Sequence, residues 1–387
     1  MTSGGGNSGQ QWYLNPDLEV VAGNKARWNT PEHRRRAFHR LGAVARYSMS
    51  ARAARVANLE KDVDYSIATR DDVQRLTALP NFSAMVVAKP GRILFEHFAS
   101  DFSEAQEHSI QSITKTMMHL VIGHLVTTGD IDLAAPIGHY LPDLGSGYQT
   151  ASVQDVLDMN VVNEYSEDFT DPEAMYYVHE EAMGWRLPGP GRDELRMRPF
   201  LCSIRSDDTR NSTGVANYKD ANTDVLAWLA EVVSGRSLRE YIAEIVDAAG
   251  LAGKFTITTD RGGVPVMDGG GCMTARDLAR YGLLLLRRGQ GVDGTNVGSA
   301  QFLEASLHGG VKFQSRAFPS GDLWYHNQLM TDGRFVGHGG YAGQFLLVDL
   351  VSEVVCVFMS VSEERDGLSA GYFPQVVPML REIAHDI

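Results

Sequence analysis

From Thr116 to Gly129 the chain carries no Asp, Glu, Lys or Arg. The apolar run inside it, Thr116-Met-Met-His-Leu-Val-Ile-Gly-His-Leu-Val126, is long for a strand and falls short of the ~18 residues that would span a bilayer. A buried helix is what such a run predicts, ending near Gly129. Lys115 stands at its mouth, Ser112 lies one turn earlier, and the polar segment 103–111 precedes both. Residues three apart project from one helix face. A serine at a helix N-terminus meets backbone N–H groups and the positive end of the macrodipole, which favour developing negative charge. A neutral lysine beside it could take the hydroxyl proton and make the oxygen a nucleophile.

A Ser-x-x-Lys match is weak alone, and an N-capping serine followed by a solvent-facing lysine is the competing reading. Two observations weigh against that reading. Of the seven lysines only Lys115 has a serine three before it, and it enters an uncharged stretch where a lysine is costly without a role. Companion motifs also follow downstream, in order: Tyr218-Lys219-Asp220, then His338-Gly339-Gly340.

The 387 residues allow one large domain or two closely joined subdomains. A hydrophobic share of 43% and a charged share of 21% are those of a globular chain with an ample core. The net charge of −13, without a basic stripe, excludes nucleic acid as an expected partner. Cys202, Cys272 and Cys356 are widely spaced and lack a C-x-x-C pattern, so reduced core residues in a cytoplasmic protein are expected. No charged segment followed by an apolar one opens the chain, so no secretory signal and no membrane anchoring are expected.

Residues 1–30 read as an irregular arm. Its Gly4, Gly6 and Gly9 match G-x-G-x-x-G but precede no strand–helix unit, so they do not suggest a dinucleotide loop. Thr30-Pro31-Glu32 signals a capped helix, with Arg34–Arg36 on a solvated face. Residues 83–89 and 92–98 read as a hairpin about Pro90-Gly91. Ser152 caps a further helix. Between 162 and 217 the periodicity fades, as in a substrate loop or lid. Helices return at 222–233, stopped by Gly235, and at 238–249. An extended stretch follows at 255–259, then a helix from Thr274, strands at 324–331, 345–350 and 354–361, and a last helix near 374–387. The expected subdomains are residues 31–111 with 251–387, mixed α and β, and a mainly helical part at 112–250 that carries Ser112 and Tyr218.

Ser112-x-x-Lys115, the Tyr218 motif and His338-Gly-Gly together resemble the serine β-lactamase-like, penicillin-recognition family. Within it the Tyr variant is similar to class C β-lactamases, D-aminopeptidases and family VIII carboxylesterases. Ala221-Asn-Thr-Asp-Val-Leu-Ala-Trp228, Thr274-Ala-Arg-Asp-Leu-Ala-Arg280 and Asp168-Phe-Thr-Asp-Pro172 are most similar to the 6-aminohexanoate-dimer (nylon-oligomer) hydrolase branch. The resemblance implies an α+β, β-lactamase/transpeptidase-like fold: an antiparallel sheet flanked by helices, with an all-α subdomain inserted. It implies a serine hydrolase of small carboxylic esters or amides, working by an acyl-enzyme without cofactor or metal, with a homodimer among the assemblies open to it. Ser112 would be the nucleophile, Lys115 its base with a pKa lowered by desolvation, and Tyr218 the proton relay. Backbone N–H groups of Ser112 and Tyr341 would hold the oxyanion, with Gly339 and Gly340 letting substrate pass closely.

Four positions depart from the family pattern. Asp220 replaces the usual asparagine, and a carboxylate near Lys115 would raise the lysine pKa and shift more of the base role to Tyr218. Phe169 and Asp268 stand where the nylon-oligomer hydrolases have a tyrosine and an asparagine that bind the amide, which favours esters over amides. His338 replaces the usual lysine, so a cationic grip on a substrate carboxylate is not expected at neutral pH. A transacylase of the same fold, and a catalytically silent binding protein, are the two competing functions. His119 and His124, five apart, do not share a helix face and do not suggest a metal site.

Overall fold

The computed structural model describes residues 28–169, 171–189, 191–315 and 318–387; the glycines at 4, 6 and 9 and nearly all of the expected arm lie outside them. The first part of the chain supplies β1 (Ser48–Arg52), β2 (Glu60–Lys61), β3 (Phe82–Lys89), β4 (Arg92–Phe98) and β5 (His108–Ser109). The last part supplies β6 (Lys254–Thr258), β7 (Gly271–Met273), β8 (Val311–Ser315), β9 (Phe318–His326) and β10 (Leu329–Thr331), then β11 (Phe335–Gly340), β12 (Gln344–Asp349) and β13 (Val354–Ser360). Among the described residues no strand falls between β5 and β6.

Nine strands form one sheet in the order β2-β4-β3-β13-β12-β11-β10-β9-β8, and four form a second in the order β1-β6-β7-β5. The large sheet is mixed rather than purely antiparallel, because β2 runs parallel to β4. Its central strands are buried on both faces, which explains their near-continuous apolar runs. Side chains alternate between two cores. Val86, Val355 and Val357 enter the core shared with the helix Thr116–Thr127, while Val87, Cys356 and Phe358 enter the one closed by the helix Phe373–Asp386.

The hairpin at 82–98, the capping box of Ser152 with Asp155, the helix Leu238–Ala249 and the C-terminal helix stand where the residue pattern predicts them. Four expectations need correction. The expected strand 324–331 is two strands folded at Asn327 and Gln328, whose positive φ of 52° and 66° makes a hairpin turn without glycine. The 162–217 region holds two helices, Met175–Ala182 and Met197–Ser203, too short for periodicity to disclose. Thr30 makes no capping bond to the backbone; its hydroxyl lies 3.0 Å from His33 Nδ1.

The fourth correction concerns the expected solvated Arg34–Arg36 face. Arg34 is 0% exposed. Its guanidinium donates to the carbonyls of Asn29, Ser362, Glu364 and Arg365 and to Asn29 Oδ1, so every bond is to an uncharged oxygen. Arg35 donates to Asp101 and to the carbonyls of Asn81 and Phe82. The helix Pro31–Phe38 therefore fastens the 362–365 segment through Arg34, while Arg36 alone of the three arginines is exposed as expected. All three cysteines are free; Cys272 and Cys356 are buried and Cys202 is half-buried. No helix among the described residues is long and apolar enough to cross a membrane.

Candidate active site

Ser112 and Lys115 lie on a 3-10 turn, Gln111–Lys115, that leads into the α-helix Thr116–Thr127. In a 3-10 turn residues three apart eclipse, which brings the two side chains closer than an α-helix would. Gln111 is held at a φ of 47°, a strained value for a residue with a side chain. The turn is tied to β7: the Ile110 N–H donates to the Gly271 carbonyl at 2.9 Å, and the Gly271 N–H donates to Thr114 Oγ1 at 3.1 Å.

Lys115 is 0% exposed. Its Nζ donates to Ser112 Oγ at 3.0 Å, to Asp220 Oδ1 at 2.5 Å and to the backbone carbonyl of Asp268. Three acceptors match the three N–H donors of an ammonium, one more than a neutral amine can serve. Burial pulls the pKa down, but neighbouring Asp220 and Asp268 outweigh it and raise it above the usual lysine value. Burial alone would have produced the lowered value expected of a resting base; the carboxylate at 220 reverses the sign.

Tyr218 precedes the helix Asp220–Ser234 and is fixed by backbone donors on either side, from Asn217 N–H to the Met159 carbonyl at 2.7 Å and from Lys219 N–H to the Met159 thioether Sδ at 3.5 Å. Its ring packs edge-on against Phe313 and Tyr325, and Lys115 Nζ lies 5.2 Å from its centre. The hydroxyl is buried, and Ser112 is the group that approaches it as a hydrogen-bond partner. Burial, then Asp220 and Glu167, push the phenol well above its usual pKa, while Ser112 pulls the other way. Tyr218 is thus held protonated.

Ser112, Tyr218, Asp220, Asp268, Gly339, Gly340, Tyr341 and Phe169 all line one cavity of about 230 Å³. Gly340 has a steric reason: a Cβ there would stand 2.7 Å from the Ile110 carbonyl and 3.1 Å from Gln111 Cβ. Tyr341 follows it, its ring 5.5 Å from Phe169 and 5.4 Å from the Arg34 guanidinium. Two expected site residues do not line the cavity: Lys115, buried behind Ser112, and His338. The His338 Nδ1 donates to the Gly339 carbonyl at 2.7 Å, so Nε2 accepts from Tyr325 Oη at 3.1 Å. Burial, with Lys115 nearby, pushes its pKa down to about 3, and the ring is neutral.

Sequence reasoning missed the rest of the wall. Tyr176, Trp185, Phe313, Phe345 and Phe373 make it largely aromatic, and Glu167 adds a further carboxyl. Glu167 accepts the Asp220 backbone N–H. Glu167, Tyr176 and Trp185 lie in the 162–217 segment expected to be a substrate loop or lid, and Glu167 stands just before the Asp168–Pro172 match, but neither signal singled these residues out.

Comparison with known proteins places this geometry in context. Residues 69–373 match the family model described as Beta-lactamase. A 6-aminohexanoate-dimer hydrolase of Paenarthrobacter ureafaciens is 34% identical over 371 residues, 89% of this chain and 91% of that one. Among solved structures, a Bacillus anthracis protein provisionally described as a 6-aminohexanoate-dimer hydrolase superposes with a TM-score of 0.79 at 21% identity, covering 94% of this chain and 96% of that one. EstCE1, described as a hydrolase with promiscuous acyltransferase activity, gives 0.59 at 14% identity, covering 83% and 98%, a likeness of fold.

Proposed function

The chain belongs to the Beta-lactamase family and is a serine hydrolase, and on that premise we propose that it cleaves small carboxylic esters or amides through an acyl-enzyme on Ser112. The observation that carries the reading is the 3.0 Å hydrogen bond between Lys115 and Ser112 Oγ at the wall of an apolar cavity.

The resting ammonium must lose a proton before it can serve as a base. Asp220, at 2.5 Å, is the acceptor in place. With one proton on Asp220, the neutral Nζ takes the Ser112 proton as Oγ bonds to the substrate carbonyl carbon. The backbone N–H groups of Ser112 and Tyr341 stabilise the oxyanion. On collapse the bond to the leaving group breaks, and Tyr218 gives that group its phenolic proton. Lys115 then returns a proton to Tyr218 Oη and recovers its own from Asp220. Water repeats the sequence on the acyl-enzyme. The net result moves the serine proton to the leaving group.

The aromatic wall suits an apolar acyl chain. The missing cation at 338 removes a grip on a substrate carboxylate, so uncharged acyl groups are the preferred class. The test uses p-nitrophenyl acyl esters and aminohexanoate oligomers with wild type and Ser112→Ala. A burst and turnover with at least one ester, abolished in the variant, is expected. No turnover of any ester or oligomer, or turnover that survives loss of Ser112, overturns the reading.

A further inference from the structure

His179, Asp224 and Asp268 form a group that the handling of the serine proton leaves unused. Each offers one ligand atom, and the three atoms lie within 4.8 Å of one another. The residues are 0%, 4% and 1% exposed. His179 Nε2 and Asp268 Oδ1 are buried and make no hydrogen bond; the Asp224 carboxylate is buried too, approached only by the backbone N–H groups of Met267 and Asp268. Leaving such atoms unpaired away from water is costly. Lys115 does not relieve them, because its three donors go to Ser112, Asp220 and the Asp268 backbone.

The arrangement has the marks of a coordination site. His179 Nε2 and Asp224 Oδ2 are 3.2 Å apart, yet not in hydrogen-bond geometry. Two ligands bound at ~2.0 Å on a tetrahedral ion stand about 3.3 Å apart. The other ring nitrogen of His179, Nδ1, lies 3.0 Å from Tyr165 Oη, and the ring stacks on Phe200 with centres 4.6 Å apart. Histidine ligands are held in this way through the nitrogen that does not face the metal. Asp224 is carried on the helix Asp220–Ser234, one turn beyond Asp220, so the helix presents one carboxylate to Lys115 and the next to His179.

We propose that His179, Asp224 and Asp268 bind a first-row divalent metal ion of the zinc type beside the serine site. One imidazole and two carboxylates suit such an ion. Asp268 also lines the substrate cavity, which gives the ion a route in and leaves a coordination position for water.

The test is direct binding to the full chain, purified without a metal-affinity tag and stripped with chelator. Zn²⁺ and Co²⁺ are added separately and the bound metal is measured by elemental analysis after gel filtration. One equivalent per chain is expected, with a rise of a few degrees in Tm and a visible Co²⁺ absorption. Asp224→Asn and His179→Gln are each expected to weaken binding by at least ~10-fold. Should either variant unfold, the wild type still decides: bound Co²⁺ is expected to shift the ring protons of one histidine in the NMR spectrum. No stoichiometric uptake by the wild type, uptake that both variants leave unchanged, or Co²⁺ that shifts no histidine overturns the proposal.

Discussion

Lys115 Nζ and Asp220 Oδ1 are 2.5 Å apart, and Ser112 Oγ is held on a second N–H of the same ammonium. The candidate base is therefore stored as its conjugate acid, with the group that can take its proton alongside.

Replacing Asp220 by Asn removes a cause of the raised Lys115 pKa. The neutral amine then appears at lower pH, so the ascending limb of the kcat/KM profile on an ester should move acidward. The plateau rate should fall if Asp220 is also the proton acceptor. An unchanged profile would show that the contact has no bearing on the reaction.

Tyr218→Phe separates leaving groups. The variant keeps the ring packing against Phe313 and Tyr325 but loses the donor. Amides and alkyl esters need a proton at departure and should slow by about 10²–10⁴-fold. A p-nitrophenyl ester needs little help and should slow much less. Equal losses on both would assign Tyr218 to an earlier step.

Gly340→Ala tests the fit between β11 and the serine turn. The added methyl would meet the Ile110 carbonyl and Gln344 Oε1, each at 2.7 Å. One of these elements must move, and displacements of about 1 Å at a reacting group cost on the order of 10²-fold. Steady-state kinetics should report a fall in kcat with the fold retained by circular dichroism. Wild-type kcat would mean the turn yields without consequence.

Arg34→Lys should destabilise the protein despite conserving charge. A lysine has three donors and no planar fork, so it cannot serve the carbonyls of Asn29, Ser362, Glu364 and Arg365 together with Asn29 Oδ1. Each buried acceptor left unpaired costs about 1–3 kcal/mol. Thermal unfolding should shift down by several degrees; an unchanged Tm contradicts the assignment.

The serine, lysine and tyrosine were legible in the residues because their signals are local: a three-residue spacing, an uncharged helix, a motif at a helix start. What escaped was set by tertiary contact. His179, Glu180 and Glu181 look like a surface charge run, yet all three are buried against other elements. Asp224 could have been found, since it follows Asp220 by one helical turn, but nothing in the sequence says that His179 and Asp268 meet it. Arg34 belongs to the same class. An arginine beside two others reads as solvated until the carbonyls that receive it are known. The hairpin at Asn327-Gln328 escaped because neither residue is glycine, although the backbone there takes a left-handed turn.

The pairing of β3 with β13 has a consequence for biosynthesis. Val87 lies opposite Cys356, so roughly 270 residues must be made before its partner exists. At ~5–20 residues per second a ribosome needs roughly 15–50 s for that stretch. During that interval β3 has only its hairpin partner β4, and its apolar residues, Met85 to Val87 among them, wait uncovered. The turn bearing Ser112 waits too, because Ile110 is tied to Gly271 in β7. Activity is thus acquired late, and the nascent chain is the form of this protein with the greatest call on chaperones.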